Sequence, residues 1–140
     1  MISKKHMAAG YEQRYIRSAI RQGDILLVNF GGRNNGSRNL CGARPVYVMN
    51  RQPRDMRGSL LVIPLFRQES KDSAWRDVEI RPTDCKGLKY AVFAQPLNLQ
   101  KIRRNQIVKR IGHVNGTDIH ENILTSMWEQ VDSYKEGLVS

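Results

Sequence analysis

Two apolar segments joined by a long polar loop occupy residues 23–50 and constrain the fold more than any other feature. Residues 25–30 (ILLVNF) and 45–49 (PVYVM) are rich in β-branched and long aliphatic side chains, so both are predicted to be strands. Between them glycines, arginines and asparagines follow one another closely. Glycine lets backbone N–H groups approach a ligand, and the arginine guanidinium matches the geometry of a phosphate. Long loops in compact domains are usually functional or disordered, so we expect the functional site here.

An excess of basic residues indicates a polyanionic partner. The chain of 140 residues has 23 Lys and Arg against 13 Asp and Glu, a formal net charge of +10. This favours nucleic acid first and an anionic membrane surface second, with charge that serves solubility alone as the alternative. No apolar run is long enough to span a bilayer, and residues 1–22 lack the apolar centre of a signal peptide. We therefore expect a cytoplasmic protein that does not bind membranes.

The cysteines and histidines do not have the spacing of a metal site. Cys41 and Cys85 form no CxxC motif and are predicted to be free thiols, with a redox role for Cys41 as the alternative. No pair among the three histidines has metal-ligand spacing. The sequence also lacks a P-loop and a nucleophile elbow. We expect neither a metal nor a cofactor.

The rest of the chain is interpreted as one domain, residues 23–140, preceded by a basic extension, residues 1–22, with a short helix at 11–21. Further strands are predicted at residues 59–66, 75–80, 89–95 and 107–114, with an irregular stretch at 96–106. A long helix follows Asn115, and its apolar stripe is expected to be core: Ile119, Ile123, Leu124, Met127, Trp128 and Val131. Short strands with helices at both ends predict a mainly β protein built on a small, strongly curved barrel.

Several short motifs recur in the order and spacing of a known family. A Gly-Asp opens the apolar strand at residues 23–28, and Arg44-Pro45 leads into the next strand after a glycine-rich loop. The apolar segment 60–65 and the IVKRIG of residues 107–112 follow. Over roughly residues 22–131 the chain resembles the MazF/PemK toxins of bacterial type II toxin–antitoxin pairs. The resemblance implies an SH3-like barrel with N-terminal and C-terminal helices, a homodimer, and an acidic, partly disordered antitoxin that lies across a basic groove.

The resemblance also implies metal-independent cleavage of single-stranded RNA at a short sequence. In that chemistry the ribose 2′-OH attacks the adjacent phosphorus while a base and an acid move protons. Cationic donors stabilise the extra negative charge on the phosphorane. Arg44 stands where the Arg-Pro arginine of the family stands, so it is the first catalytic candidate. The structural alternative for Arg44 is an ion pair with a carboxylate such as Asp24.

The chain departs from the family pattern at two positions that matter for catalysis. Where the family has a threonine or serine after its third strand, this chain has Phe66, which cannot move a proton. In the loop, Gly-Ser-Arg-Asn at residues 36–39 replaces a Gly-Ser-Glu-Gln pattern. Ser70 could supply the missing hydroxyl. Gln95 matches a glutamine that faces RNA in the family. Together these considerations give catalytic candidates Arg44 and Ser70 and RNA-binding candidates Phe30, Arg33, Arg38, Arg67, Gln95 and Asn98.

Two other functions remain open from the sequence. A non-catalytic RNA- or DNA-binding regulator of the same fold is favoured by Phe66. A gyrase-directed toxin would act through a protein surface and would have little affinity for RNA.

Overall fold

A curled antiparallel sheet with one long C-terminal helix forms the molecule. The computed structural model describes residues 20–32, 40–51, 58–69 and 76–139, with helix side chains as far as residue 132. The strands are β1 Asp24–Asn29, β2 Ala43–Val48, β3 Ser59–Phe66, β4 Val78–Ile80, β5 Val92–Ala94, β6 Gln100–Arg103 and β7 Ile107–His113, and the helix is α1 Asp118–Val139. The helix predicted at 11–21 and the candidates Arg33, Arg38 and Ser70 lie outside the described residues.

Strand β3 pairs along both of its edges and connects the two parts of the sheet. One edge pairs with β2, and the other pairs with β6 at its beginning and with β5 at its end. From β3 the order continues through β2 and β1 to β7 on one side, and through β5 to β4 on the other. Because residues 59–66 are covered on both faces, the strand is almost wholly apolar, as the sequence predicted.

Alternation along the strands gives two apolar cores, one on each face of the sheet. Residues such as Leu26, Val46 and Val62 share an inner core with Ile102 on β6 and Ile107 on β7. These last two strands lie at opposite ends of the order β7-β1-β2-β3-β6, so the sheet must curl around this core. The alternate positions form an outer core, which β4, β5 and α1 cover: Ile25, Tyr47, Ile63, Leu65, Val78, Ile80, Cys85, Val92, Ala94, Val114 and Ile123.

Only part of the apolar stripe on α1 is buried, so the sequence prediction for this helix is wrong in part. Ile123 is fully buried, but Leu124, Trp128 and Val131 are 42%, 68% and 46% exposed. The buried face runs instead through Ser126 and Gln130, whose side chains hydrogen-bond to each other over 3.0 Å. Because these two polar side chains hydrogen-bond to each other, this face can pack on the sheet without leaving a buried polar atom unsatisfied. No helix of the described residues is long and apolar enough to cross a membrane.

The stretch predicted to be irregular contains a strand that the sequence analysis missed. Strand β6 pairs with the beginning of β3, and it buries Ile102 while Lys101 and Arg103 face solvent. A strand at a sheet edge tolerates such charged neighbours. In the sequence they flank a single apolar residue, so no apolar run indicates the strand. Strand β5 is Val92–Ala94 and is shorter than the predicted 89–95. Lys89 and Tyr90 precede it and are exposed.

A buried carboxylate joins the start of β1 to the end of β7. Asp24 is fully buried, and its Oδ1 lies 2.8 Å from His113 Nδ1 while its Oδ2 lies 3.7 Å from Arg110 Nη1. Oδ2 also accepts the Arg21 N–H at 2.8 Å. Gly23 has a positive φ of 90°, and a Cβ there would lie 3.2 Å from His113 Cε1. The Gly-Asp pair is thus explained by a left-handed turn followed by an anchoring carboxylate.

We expect Asp24→Ala to lower the free energy of unfolding by about 3 kcal/mol, because Arg110, His113 and the Arg21 N–H lose their buried partner. Asp84 provides a matched control, since its Oδ2 likewise accepts the N–H three residues earlier, from Arg81 at 2.9 Å, in a half-exposed turn. Asp84→Ala should cost less than about 1 kcal/mol. Urea unfolding of both variants measures the difference, and equal losses would show that Asp24 acts only as a turn residue.

Candidate functional site

Arg44 carries a half-buried guanidinium near the end of the sheet. In the register it lies opposite Val28, and its Cζ is 5.7 Å from the centre of the Phe66 ring. Its Nε is buried and donates to no acceptor among the described residues. Asp24, the partner considered for it, pairs instead with Arg110 and His113. Val28 lies four positions after Asp24 on β1, roughly 13 Å away, so Asp24 is too distant to pair with Arg44.

Phe66 places an aromatic ring beside this cation. It is the last residue of β3, pairs with Phe93 on β5, and packs partly against the inner core. A guanidinium near an aromatic face gains about 0.5–1 kcal/mol at such a site. At this position the chain therefore offers Arg44 an aromatic ring in place of the hydroxyl expected from the resemblance.

Gln95 and Asn98 lie together just after β5. Asn98 belongs to the 3₁₀ turn Pro96–Asn98, and its amide Nδ2 donates to Gln95 Oε1. The backbone N–H of Asn98 donates to the Gln95 carbonyl over 2.9 Å. Both side chains are half-buried, so the turn holds two amides in fixed positions next to the strand that pairs with Phe66.

Of the remaining described candidates, Arg67 is exposed and Phe30 is not. The Cζ of Arg67 lies 3.7 Å from the centre of the Tyr90 ring, a close stacking contact. Phe30 is only 6% exposed and packs in the inner core, so in this conformation its ring is not available to stack on a base. The backbone of Phe30 instead helps to close the loop, because its N–H donates to Gly42 O over 2.9 Å.

The acid–base groups lie at the other end of the sheet. Burial raises the pKa of Tyr47 to about 12, and its hydroxyl lies 3.0 Å from His120 Nδ1. Burial also lowers the pKa of His120. Both shifts favour the neutral form of the group concerned, so this pair is a hydrogen bond between neutral side chains. The spacing along β1 places Asp24 roughly 13 Å from Val28, the residue opposite Arg44, and Tyr47 lies three positions from Arg44 on β2, roughly 10 Å. Neither group therefore lies beside Arg44.

Sequence reasoning could not identify the Tyr47–His120 pair. The two residues are 73 positions apart, and neither belongs to a local motif. The buried Asp24 could have been suspected from the Gly-Asp motif, but its partners come from β7, far along the chain.

Both cysteines are unpaired thiols. Cys41 is exposed in the loop and Cys85 is buried, where burial is the main cause that raises the pKa of its thiol. Within the part of the chain that the structure describes, no group of three or more His, Cys, Asp or Glu side chains could hold a metal ion.

Comparison with known families gives one match that spans most of the chain. The model for the PemK-like, MazF-like toxin of type II toxin–antitoxin systems matches residues 21–123. The chain belongs to this family. The match includes Arg44, Phe66, Arg67, Gln95 and Asn98. The resemblance stated from the sequence is thereby confirmed.

Solved structures show the same PemK/MazF fold at low sequence identity. The Mycobacterium tuberculosis toxin MazF-mt6 is 17% identical with a TM-score of 0.60, over 78% of this chain and 96% of that one. A mycobacterial endoribonuclease in complex with its cognate antitoxin is 15% identical with a TM-score of 0.59, over 81% and 94%. A MazE–MazF complex from Deinococcus radiodurans is 12% identical with a TM-score of 0.61, over 81% and 96%. No curated protein matches the sequence.

We expect Arg44→Met to leave the free energy of unfolding within about 1 kcal/mol of wild type. The substitution removes a buried N–H that has no acceptor in the described residues and keeps an apolar contact with Phe66. Arg110→Met is the control, because it removes a cation from the buried Asp24 carboxylate and should cost about 2 kcal/mol. Urea unfolding compares the two, and a larger loss at Arg44 would mark it as a structural residue.

Proposed function

We propose that this PemK/MazF-family protein is a metal-independent endoribonuclease that cuts single-stranded RNA at a short sequence, as the toxin of a type II toxin–antitoxin pair. The observation that carries this proposal is the half-buried Arg44 guanidinium with its unused Nε, in the Arg-Pro of the family. A buried N–H without an acceptor does not stabilise the fold. A phosphate oxygen would satisfy it.

Arg44 would act by stabilising charge. The ribose 2′-oxygen forms a bond to phosphorus and the bond from phosphorus to the 5′-oxygen breaks, which leaves a 2′,3′-cyclic phosphate and a 5′-hydroxyl. A base takes the proton from the 2′-OH, and an acid gives one to the departing oxygen. Arg44 donates to the phosphorane oxygens, in a site where burial strengthens the interaction. Ser70 remains the proposed source of a hydroxyl for proton transfer.

Other residues of the site suit the recognition of unpaired bases. Tyr90 presents a ring that is 46% exposed, and stacking on aromatic rings is a common way to hold single-stranded RNA. Arg67 adds a cation beside Tyr90. The paired amides of Gln95 and Asn98 could read base edges by hydrogen bonds. Arg33 and Arg38, which lie outside the described residues, remain proposed RNA contacts.

An acidic antitoxin is the proposed protein partner. The net charge of +10 favours a polyanionic or acidic ligand. Two of the structures with this fold are complexes with an antitoxin, one mycobacterial and one from Deinococcus radiodurans. An acidic segment across Arg44 would mask the same donors that bind phosphate, and so would inhibit the toxin.

The proposed assembly is a homodimer that involves α1. Leu124, Trp128 and Val131 lie at helical spacing and are exposed, which leaves an apolar stripe in water. A two-fold axis can pair such a stripe with itself. Trp128→Glu should shift the protein from dimer to monomer in sedimentation velocity. Asp118→Ala on the same helix is the control. A monomeric wild type would contradict the proposal.

A second candidate function rests on Phe66. Because Phe66 stands where the family has a hydroxyl, the same surface could bind RNA for regulation and not cut it. This reading keeps the phosphate contact of Arg44 but assigns no bond cleavage to it.

For cleavage, Arg44→Ala should lose on the order of 10²- to 10³-fold in rate, as for the removal of one transition-state donor. Arg44→Lys should recover only part, because a point charge does not reproduce the guanidinium fork. Phe66→Thr should raise the rate with little change in RNA affinity. Arg81→Ala, an exposed arginine paired with Glu79, is the control. Gels of defined RNAs in EDTA measure these rates.

The same gels distinguish the two candidate functions. A 2′-deoxy substitution at the cleaved nucleotide should abolish cutting. If wild type does not cut RNA, Phe66→Thr gains no activity and Arg44→Ala alters only binding, the regulatory function replaces the enzymatic one. Cleavage that disappears in EDTA would exclude the metal-independent mechanism.

A further inference from the structure

A surface pocket of about 320 Å³ lies on the outer face of the sheet, close to Arg44 along the chain but on the opposite face. Leu27 and Pro45 are register partners on β1 and β2 and form one apolar wall. Val92 and Ile111 contribute apolar surface from β5 and β7. A volume of this size is at the lower end of the range for pockets that hold small molecules.

The rim of the pocket is basic. Lys89, Lys109 and Arg110 line it, and none of its lining residues is acidic. Lys89 and Lys109 are exposed, and neither forms an ion pair with a carboxylate in the described residues. Arg110 lies 3.7 Å from the buried Asp24, which fixes one of the three cations in place. The charge of the rim therefore selects an anionic ligand.

Tyr90 gives the pocket a flat aromatic surface. Its ring is 46% exposed and lines the pocket, while the Arg67 guanidinium stacks 3.7 Å from its centre. The stacked arginine restrains the ring and adds positive charge beside it. An aromatic ring next to cations and above an apolar wall matches the two parts of a nucleotide, a planar base and a phosphate.

We propose that this pocket binds one nucleotide of single-stranded RNA, with its base against Tyr90 and the Leu27–Pro45 wall and its phosphate on Lys89 and Lys109. The inference rests on the proposed function, since it takes RNA as the ligand of the Arg44 site. Pro45 follows Arg44 directly, and alternation places the two side chains on opposite faces of β2. The pocket therefore lies across β2 from the phosphate that Arg44 holds, and the nucleotide it binds belongs to the same RNA at a position away from the cut.

Binding of a short single-stranded RNA, 2′-O-methylated so that it cannot be cut, tests this pocket by fluorescence anisotropy. Tyr90→Ala should weaken affinity by on the order of tenfold, the loss expected for one base–aromatic stack. Lys109→Ala should lower the slope of log affinity against log salt by about 0.7, the value for one phosphate contact on a single strand. Lys86→Ala removes the same charge from an exposed lysine outside the pocket and should leave that slope unchanged.

Three results would overturn the assignment. The first is equal effects of Lys109→Ala and Lys86→Ala on the salt dependence of binding, which would mean that any surface lysine contributes equally and that Lys109 makes no specific phosphate contact. The second is unchanged affinity in Tyr90→Ala when thermal unfolding shows that it is folded. The third is a nucleoside 5′-monophosphate that competes as well as the RNA does, which would assign the pocket to a free nucleotide.

The outcomes separate this inference from the proposed function. If RNA cleavage depends on Arg44 but binding ignores Tyr90 and Lys109, the pocket assignment falls and the enzyme stands. If binding depends on Tyr90 and Lys109 but no variant cleaves RNA, the pocket stands and the enzymatic function falls.

Discussion

The pairing of β3 along both edges is the constraint on which the rest of the structure depends. This strand holds the curled part of the sheet through β2 and β6, and it carries the β4–β5 extension through its last residues. Its apolar sequence follows from this position, because both faces are buried and both edges are hydrogen-bonded. The end of the strand, at Phe66, is therefore also the point where the inner core, β5 and the Arg44 side chain meet.

Stability and proposed chemistry occupy opposite ends of β1. At its start, buried Asp24 pairs with Arg110 and His113 from β7, so its charge serves the fold. Near the end of β1, Val28 lies opposite Arg44 on β2. The buried Nε of Arg44 donates to no acceptor in the described residues, so the fold does not use this donor. This division follows the general pattern in which functional groups are less satisfied than structural ones until a ligand arrives.

The sequence predicted the features that depend on local pattern. The apolar runs gave β1, β2, β3 and β7, and the order of short motifs indicated the family that the family model matches. Strand β6 was missed, because one buried Ile102 between two charged residues has no apolar run to reveal it. The buried face of α1 was missed for a related reason: Ser126 and Gln130 are polar, and they are buried because they hydrogen-bond to each other and Ser126 Oγ donates to Arg76 O. Contacts such as Tyr47–His120 depend on the final packing, which no local pattern encodes.

The two ends of the β1–β2 loop are hydrogen-bonded to each other, and this affects how the sequence of such a protein can change during evolution. The Phe30 N–H donates to Gly42 O and the Gly42 N–H donates to Gly31 O, each over 2.9 Å, so the two ends of the loop are tied together. Loop-closure entropy rises only slowly with length, by about 0.6 kcal/mol for each doubling. Insertions in the loop are therefore nearly neutral for the domain, provided that Leu40, which is buried in the inner core, is kept. Evolution can change the sequence and length of this loop without having to rebuild the domain that carries it.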